Sequence, residues 1–173
     1  MSAEARAPGR RVGLIALGAN LGAAERTLAE ALEALRACPQ LLGLRPSTWL
    51  RTRPVDCPPG SPDFLNGVAA FETAAPPEWL LGLLHGIEAR AGRDRAREGR
   101  HGARPLDLDL LCLGDLRRER AGLTLPHPRF ERRRFVLAPL CELDPDFRLP
   151  SGRTARAALA ELEAAEGRLP EAL

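Results

Sequence analysis

The chain is predicted to fold as an α+β domain of the ferredoxin-like kind, a βαββαβ sandwich with a mostly antiparallel sheet and helices on its faces. Three observations predict it. Short apolar runs alternate with stretches whose leucines recur at helical spacing, the order of these segments is strand, helix, strand, strand, helix, strand, and glycine and proline mark the joints between them.

The first strand is Val12 to Leu17, an apolar run ending in Gly18-Ala-Asn20. From Ala24 to Ala37, Leu28, Leu32 and Leu35 share one helical face, and Pro39 lies just past the end. Leu41 to Trp49 reads as the second strand. Arg53 to Asp63 holds four prolines and a glycine and is a loop, after which Phe64 to Thr73 is the third strand. The second helix opens at Pro76-Pro77, turns Trp79, Leu80, Leu83, Leu84 and Ile87 inward and stops at Gly92. Residues 93–104 contain no core-forming side chain, which predicts mobility, and Leu106 to Leu113 is the fourth strand. Beyond it, Leu123 to Leu125 is expected as an edge strand, Arg133 to Leu140 as a short helix and Thr154 to Ala165 as a last one. Residues 1–10 read as a disordered leader and 11–173 as a single domain, since no internal repeat or linker divides the chain.

Composition narrows the chemistry. At 45% hydrophobic residues, 173 residues suffice to bury a core. No run approaches the roughly 18 apolar residues of a membrane span, and the opening MSAEARAPGR lacks the apolar block of a signal peptide, so the expectation is a cytoplasmic protein without membrane association. Cys38, Cys57, Cys112 and Cys141 lie far apart with no CxxC pair, which suggests free thiols rather than a zinc or redox site. All 25 basic residues are arginine, so lysine nucleophiles and a lysine-containing phosphate loop are excluded.

Four groups of residues could carry chemistry. In Leu106-Asp-Leu-Asp-Leu-Leu-Cys-Leu113, Asp107 and Asp109 share a strand face with Cα atoms roughly 7 Å apart. The opposite face, with Leu106, Leu108, Leu110 and Cys112, is apolar, and the acidic face itself becomes apolar at Leu111 and Leu113. Two carboxylates at the edge of a core repel unless a cation lies between them, and magnesium is usually held by one or two carboxylates together with substrate phosphates. The same pair would also suit a solvated polar face or aspartates paired with nearby arginines. Immediately before this strand stand Arg93, Arg95, Arg97, Arg100 and Arg104, planar forks that match phosphate oxygens; they would equally serve as a solvated loop. Pro126-His-Pro128 fixes His127 in a rigid loop, followed by Arg129, Arg132, Arg133, Arg134 and Phe135. Phe64 and Asn66 share a strand face and could offer a ring and an amide to a flat heterocycle, or a core ring beside a turn-favouring Asn.

In this order the pieces resemble the 6-hydroxymethyl-7,8-dihydropterin pyrophosphokinase family of folate biosynthesis, over residues 12 to about 150. The resemblance is carried by Leu17-Gly-Ala-Asn-Leu21, Arg51-Thr52, Phe64-Leu-Asn66, Ile87-Glu88 leading to Gly92-Arg93, Arg104-Pro-Leu-Asp-Leu-Asp109, and Pro126-His127 with Arg133 and Phe135. It implies transfer of pyrophosphate from ATP to the hydroxymethyl group of the pterin, with release of AMP. Asp107 and Asp109 would hold two magnesium ions on the ATP phosphates, while Arg93 and Arg104 would be catalytic and act, with Arg95, from mobile loops. Glu88, Arg95, Arg104, His127 and Arg133 would lie along the ATP site. The pterin would stack between Phe64 and Phe135, with Asn66 and the backbone near Thr52 reading its polar edge. No nucleic acid, membrane or obligatory protein partner is implied. Where the family pattern has tryptophan, glutamine and proline, this chain has His101, His85 and Arg53.

Two other readings stay open at this level. A ferredoxin-like module binding RNA through its arginines would need exposed aromatics for base stacking, and the chain has no tyrosine, five phenylalanines and two tryptophans. A different magnesium-dependent phosphotransferase on the same scaffold would keep the two aspartates without the Phe64 and Asn66 face.

Overall fold

The structure, a computed structural model, describes residues 9–54, 60–94 and 104–166. The expected leader lies outside them apart from Gly9 and Arg10, as do Arg95, Arg97, Arg100 and His101. The described elements are β1 (Arg11–Ala19), α1 (Ala24–Arg36), β2 (Leu42–Pro46), β3 (Leu50–Thr52), β4 (Phe64–Thr73), α2 (Pro77–Arg90), β5 (Asp107–Leu113), β6 (Arg118–Arg120), β7 (Leu123–Leu125), a 3₁₀ turn (Phe130–Arg132), α3 (Arg134–Leu143) and α4 (Ala155–Glu166). The main sheet runs β2-β4-β1-β5, with β3 also on β4, and every pairing in it is antiparallel. The βαββαβ order and the sandwich are therefore as predicted. Among the described residues no helix is long and apolar enough to cross a membrane.

Side-chain alternation sends each strand's residues to two cores. Ile15, Leu17, Phe71 and Leu108 pack with Leu28, Leu32 and Leu35 of α1 and Leu80, Leu84 and Ile87 of α2 on one face. Leu14, Val68, Ala70 and Leu111 pack with Val136, Leu137 and Leu140 of α3 and Ala155 and Ala158 of α4 on the other. This second layer stops short of one end of the sheet. The uncovered end carries Asn66, Gly18 and Asp107 in one cross-strand row, and Ala16 and Asp109 in the next beside the buried Val68.

Four details depart from the sequence reading. The second strand breaks at 47–49 into β2 and β3. There Ser47 donates its N–H to Val68 O (2.8 Å) and accepts the Val68 N–H on its Oγ (3.0 Å), so a side chain replaces part of the ladder. Thr48 is tied to Glu142 of α3 through its N–H (3.0 Å) and its Oγ1 (2.7 Å). Residues 123–125 pair with β6 in a separate hairpin rather than edging the main sheet, turning through Gly122 at φ 80. Trp79 is 41% exposed, because the inward stripe of α2 is Leu80, Leu84 and Ile87, spaced four and three apart, and Trp79 falls beside it. Finally, the β1–β5 register shifts between Leu14 and Ile15, so β5 contains a bulge. Cys112 consequently joins Leu111 in the α3–α4 core and Leu113 joins Leu108 on the opposite face, the reverse of strict alternation.

Glycines in this fold test its packing directly. A Cβ on Gly67 would lie 2.7 Å from the Trp49 ring, whereas one on Gly82 in α2 meets nothing within 4 Å. Gly67→Ala is expected to destabilise by about 1–3 kcal/mol through overpacking, and Gly82→Ala to stabilise by about 0.5–1 kcal/mol through helix propensity. Urea melts of the two variants check both signs.

Candidate active site

The uncovered end of the sheet forms a cleft lined by Ala16, Gly18, Thr52, Arg53, Phe64, Asn66, Arg104, Asp107, Asp109, Arg133 and Phe135. β5 supplies the aspartates, and because they precede the bulge their common face is the one alternation predicts. Their surroundings differ sharply. Asp107 accepts from Arg93 on Oδ1 (2.5 Å) and from Arg104 on Oδ2 (2.7 Å). The Arg93 side chain is only 6% exposed and also donates to Glu88 Oε1 (2.5 Å) and to Leu106 O (3.3 Å). Glu88, 1% exposed at the end of α2, takes the Leu108 N–H on the same oxygen (2.8 Å). Its buried carboxylate is tolerated because a guanidinium and a backbone donor satisfy it.

Asp109 has much less compensation. Arg133 stands 3.7 Å away, the closest ion-pair partner of Asp109 among the described residues. Burial, and then the charge of Asp107, raise its carboxyl above the usual carboxylate range, against the opposing pull of His127, Arg133 and Arg104. Burial likewise lowers His127, although Asp109 pulls the other way. The Arg129 N–H donates to His127 Nδ1 (3.3 Å), so the neutral ring carries its proton on Nε2. The His127 loop is itself anchored by its N–H to Leu111 O (2.8 Å).

The other side of the cleft suits a flat polar ring. Asn66, 9% exposed, donates through Nδ2 to Thr52 Oγ1 (2.8 Å), which orients its amide. Its Oδ1 lies over Gly18, where a Cβ would come within 2.9 Å of it. Phe64 sits opposite Thr52 in the register, and Phe135 enters from the first turn of α3 with the Arg133 guanidinium 5.5 Å from its ring centroid.

Of the residues singled out from the sequence, Thr52, Phe64, Asn66, Arg104, Asp107, Asp109, Arg133 and Phe135 meet in this one cleft. Glu88 and Arg93 stand behind Asp107, and Arg93 is held by side-chain partners rather than projecting from a loop as expected. Arg95 lies outside the described residues. Ala16 and Gly18 were missed as cleft residues. Their signal was the pair of small residues at alternate positions of the first strand, which bring the backbone of β1 to the surface between the amide and the acids.

Among the described residues no group of three or more His, Cys, Asp or Glu side chains is gathered to hold a metal. Asp107 and Asp109 still fit magnesium, which takes hard oxygens and completes its shell with water and phosphate. The poorly neutralised Asp109 is where an added cation is most favourable.

Comparison with known proteins gives one consistent result. The family model for 7,8-dihydro-6-hydroxymethylpterin-pyrophosphokinase matches residues 14–145. The 2-amino-4-hydroxy-6-hydroxymethyldihydropteridine pyrophosphokinase of Pseudomonas aeruginosa is 40% identical over 139 residues, covering 80% of this chain and 84% of its own. Its counterpart in Synechocystis is 39% identical over 142 residues, covering 82% of this chain and 71% of its own. In three dimensions the fold matches Plasmodium falciparum HPPK-DHPS with a TM-score of 0.68 at 13% identity, over 92% of this chain and 42% of that longer one. With a family model across most of its length and relatives this similar, the chain belongs to the 7,8-dihydro-6-hydroxymethylpterin-pyrophosphokinase family.

Proposed function

We propose that the half-covered face of the sheet is where this chain carries out its family's reaction, pyrophosphoryl transfer from ATP to 6-hydroxymethyl-7,8-dihydropterin in folate synthesis. The observation that carries the assignment is the row Asn66, Gly18, Asp107 across three adjacent strands, which sets an oriented amide and a carboxylate on either side of a residue without a side chain. The pterin stacks between Phe64 and Phe135, and Asn66 and Thr52 read its polar edge. ATP lies along Asp107, Asp109, Arg104, Arg133 and the Nε2–H of His127, with Arg95 as a further contact from outside the described residues. Asp107 and Asp109 would hold two magnesium ions, which would supply charge neutralisation for the phosphates.

The chain's own groups then bind, orient and neutralise. Arg104 and Arg133 place charged donors beside the acids, where negative charge develops on the transferring group. Glu88 acts on Arg93, and Arg93 on Asp107, holding the carboxylate in one orientation from behind. The pterin hydroxyl attacks the β-phosphorus, its O–P bond forms as the bond to the oxygen bridging the α- and β-phosphorus breaks, AMP leaves with that oxygen, and the hydroxyl proton passes to solvent. The protein operates in the cytoplasm on these two small molecules.

The direct test is incubation of the protein with ATP, magnesium and 6-hydroxymethyl-7,8-dihydropterin, with nucleotide products separated by chromatography. AMP is expected in step with the pterin diphosphate. Formation of ADP, or of neither nucleotide, would overturn the assignment.

The two aspartates should behave oppositely in stability and alike in activity. Asp109 has its folded pKa raised above 3.8, so the fold favours its protonated form. That contribution is present below the unfolded value and is lost as pH rises through the folded one, leaving a destabilising carboxylate at neutral pH. Asp109→Asn is therefore expected to raise the melting temperature at pH 7 without magnesium, with the gain vanishing at pH values below 3.8. Asp107→Asn removes an acceptor from Arg93 and Arg104 and should destabilise by about 1–3 kcal/mol. Both variants should lose at least roughly 10²-fold in kcat. Thermal melts across pH, paired with turnover assays, check this.

The cleft's two halves should also separate by ligand. Phe135→Ala is expected to weaken pterin binding by about 0.5–1.5 kcal/mol beyond the lost area, and Gly18→Ala to weaken it by displacing the Asn66 amide. Affinity for a non-hydrolysable ATP analogue should change little in either. Calorimetry with the analogue alone, then with pterin added, distinguishes the two effects.

A further inference from the structure

The Leu17-Gly-Ala-Asn-Leu21 segment contains a residue to which the proposed reaction gives no part. Asn20 is 5% exposed although its side chain is polar, and it lies just past the end of β1. Its Oδ1 accepts the Arg104 N–H at 2.7 Å, its Nδ2 donates to Pro62 O at 3.2 Å, and its backbone N–H donates to Arg104 O at 3.2 Å. One residue thus engages both backbone polar groups of Arg104 and also grips the chain two residues ahead of Phe64. Arg104 in turn directs its guanidinium to Asp107 at 2.7 Å.

We propose that Asn20 is a positioning residue that holds the backbone at Arg104 and at Pro62 together, so that the phosphate-facing guanidinium and the pterin-facing ring of Phe64 are set relative to one another. This rests on the reading of the cleft given above. Arg104 and Pro62 lie in the approaches to β5 and β4 rather than within the strands, so the ladder of the main sheet does not fix them. Asparagine suits the place because one short planar group offers an acceptor and a donor; aspartate has no donor, serine is too short and alanine has neither. The bond from the Asn20 N–H to Arg104 O survives any such substitution, so loss of the side chain loosens the hold without releasing it.

The test compares Asn20→Ala with Asn20→Asp in the full chain. The alanine variant releases Pro62 and leaves Arg104 held only by the bond from the residue-20 N–H to its carbonyl. Because misplacement of a catalytic group by about 1 Å can cost on the order of 10²-fold, its single-turnover rate is expected to fall roughly 10- to 100-fold while the affinity for an ATP analogue stays near that of the unaltered chain. The aspartate variant keeps an acceptor for the Arg104 N–H but sets a carboxylate oxygen against Pro62 O. It should recover most of the rate yet raise KM for the pterin by on the order of tenfold. Unchanged kinetics in the alanine variant, or equal losses in both variants that follow their melting temperatures, would overturn the proposal.

Hydrogen exchange at the Arg104 amide reads the same hold without turnover. Protection is expected in the unaltered chain and in Asn20→Asp and should be lost in Asn20→Ala; retained protection in the alanine variant would overturn the proposal. Failure of the unaltered chain to form AMP would count against the proposed reaction, and the exchange result would still decide the role of Asn20. If Asn20→Ala does not fold, the comparison of Asn20→Asp with the unaltered chain decides: an unchanged pterin KM there overturns the proposal.

Discussion

A chain of alternating charge, Glu88, Arg93, Asp107 and Arg104, runs from the buried end of α2 to the open cleft, and the position of the acidic pair depends on it. Each inner member contacts two neighbours of opposite sign, and the sum of the formal charges is zero. Removing one member of this set leaves its neighbours without a charged partner, at a cost of about 1–3 kcal/mol, so the four residues hold one another in place. Glu88 also accepts the Leu108 N–H from β5 itself, which ties the helix end to the strand at the level of the aspartates. Asp107 is thereby a rigid group before any ligand arrives.

Asp109 shows the opposite economy. Two residues along the same strand, it is partly buried, lies near Asp107 and, among the described residues, is ion-paired with Arg133 at 3.7 Å. The protein accepts a locally unfavourable carboxylate at a point where a bound cation would relieve it. One acid is fixed by internal partners and its neighbour is not, a difference that would suit a bound cation at Asp109.

The middle strand makes the arrangement possible by what it lacks. Ala16 and Gly18 let the surface between Asn66 and Asp107 lie at backbone level, and Asn66 can place Oδ1 over Gly18 because no Cβ stands there. The covering layer of α3 and α4 ends before this row, and α3 starts at the cleft with Arg133 and Phe135 on its rim. The covered half of the face is apolar core and the uncovered half is the proposed binding surface, so stability and the proposed function divide one sheet face between them.

Much of this was legible in the chain itself. Hydrophobic period and the order of segments specified the βαββαβ sandwich, because side-chain direction repeats every two residues in a strand and every 3.6 in a helix. The same alternation put Asp107 with Asp109 and Phe64 with Asn66, and the motif order pointed to the family. What local pattern could not supply were the contacts between segments distant in sequence. The bulge that exchanges Cys112 and Leu113, the break at Ser47, the outward turn of Trp79 and the separate β6–β7 hairpin all arise from pairing and packing partners elsewhere in the chain. So do the unequal fates of two aspartates that look alike on paper, since among the described residues Arg93 and Arg104 both ion-pair with Asp107 and Arg133 alone does so with Asp109. The role of Asn20 belongs to the same class, because its partners at Pro62 and Arg104 are 42 and 84 residues away and only the folded backbone brings their polar groups within hydrogen-bond reach.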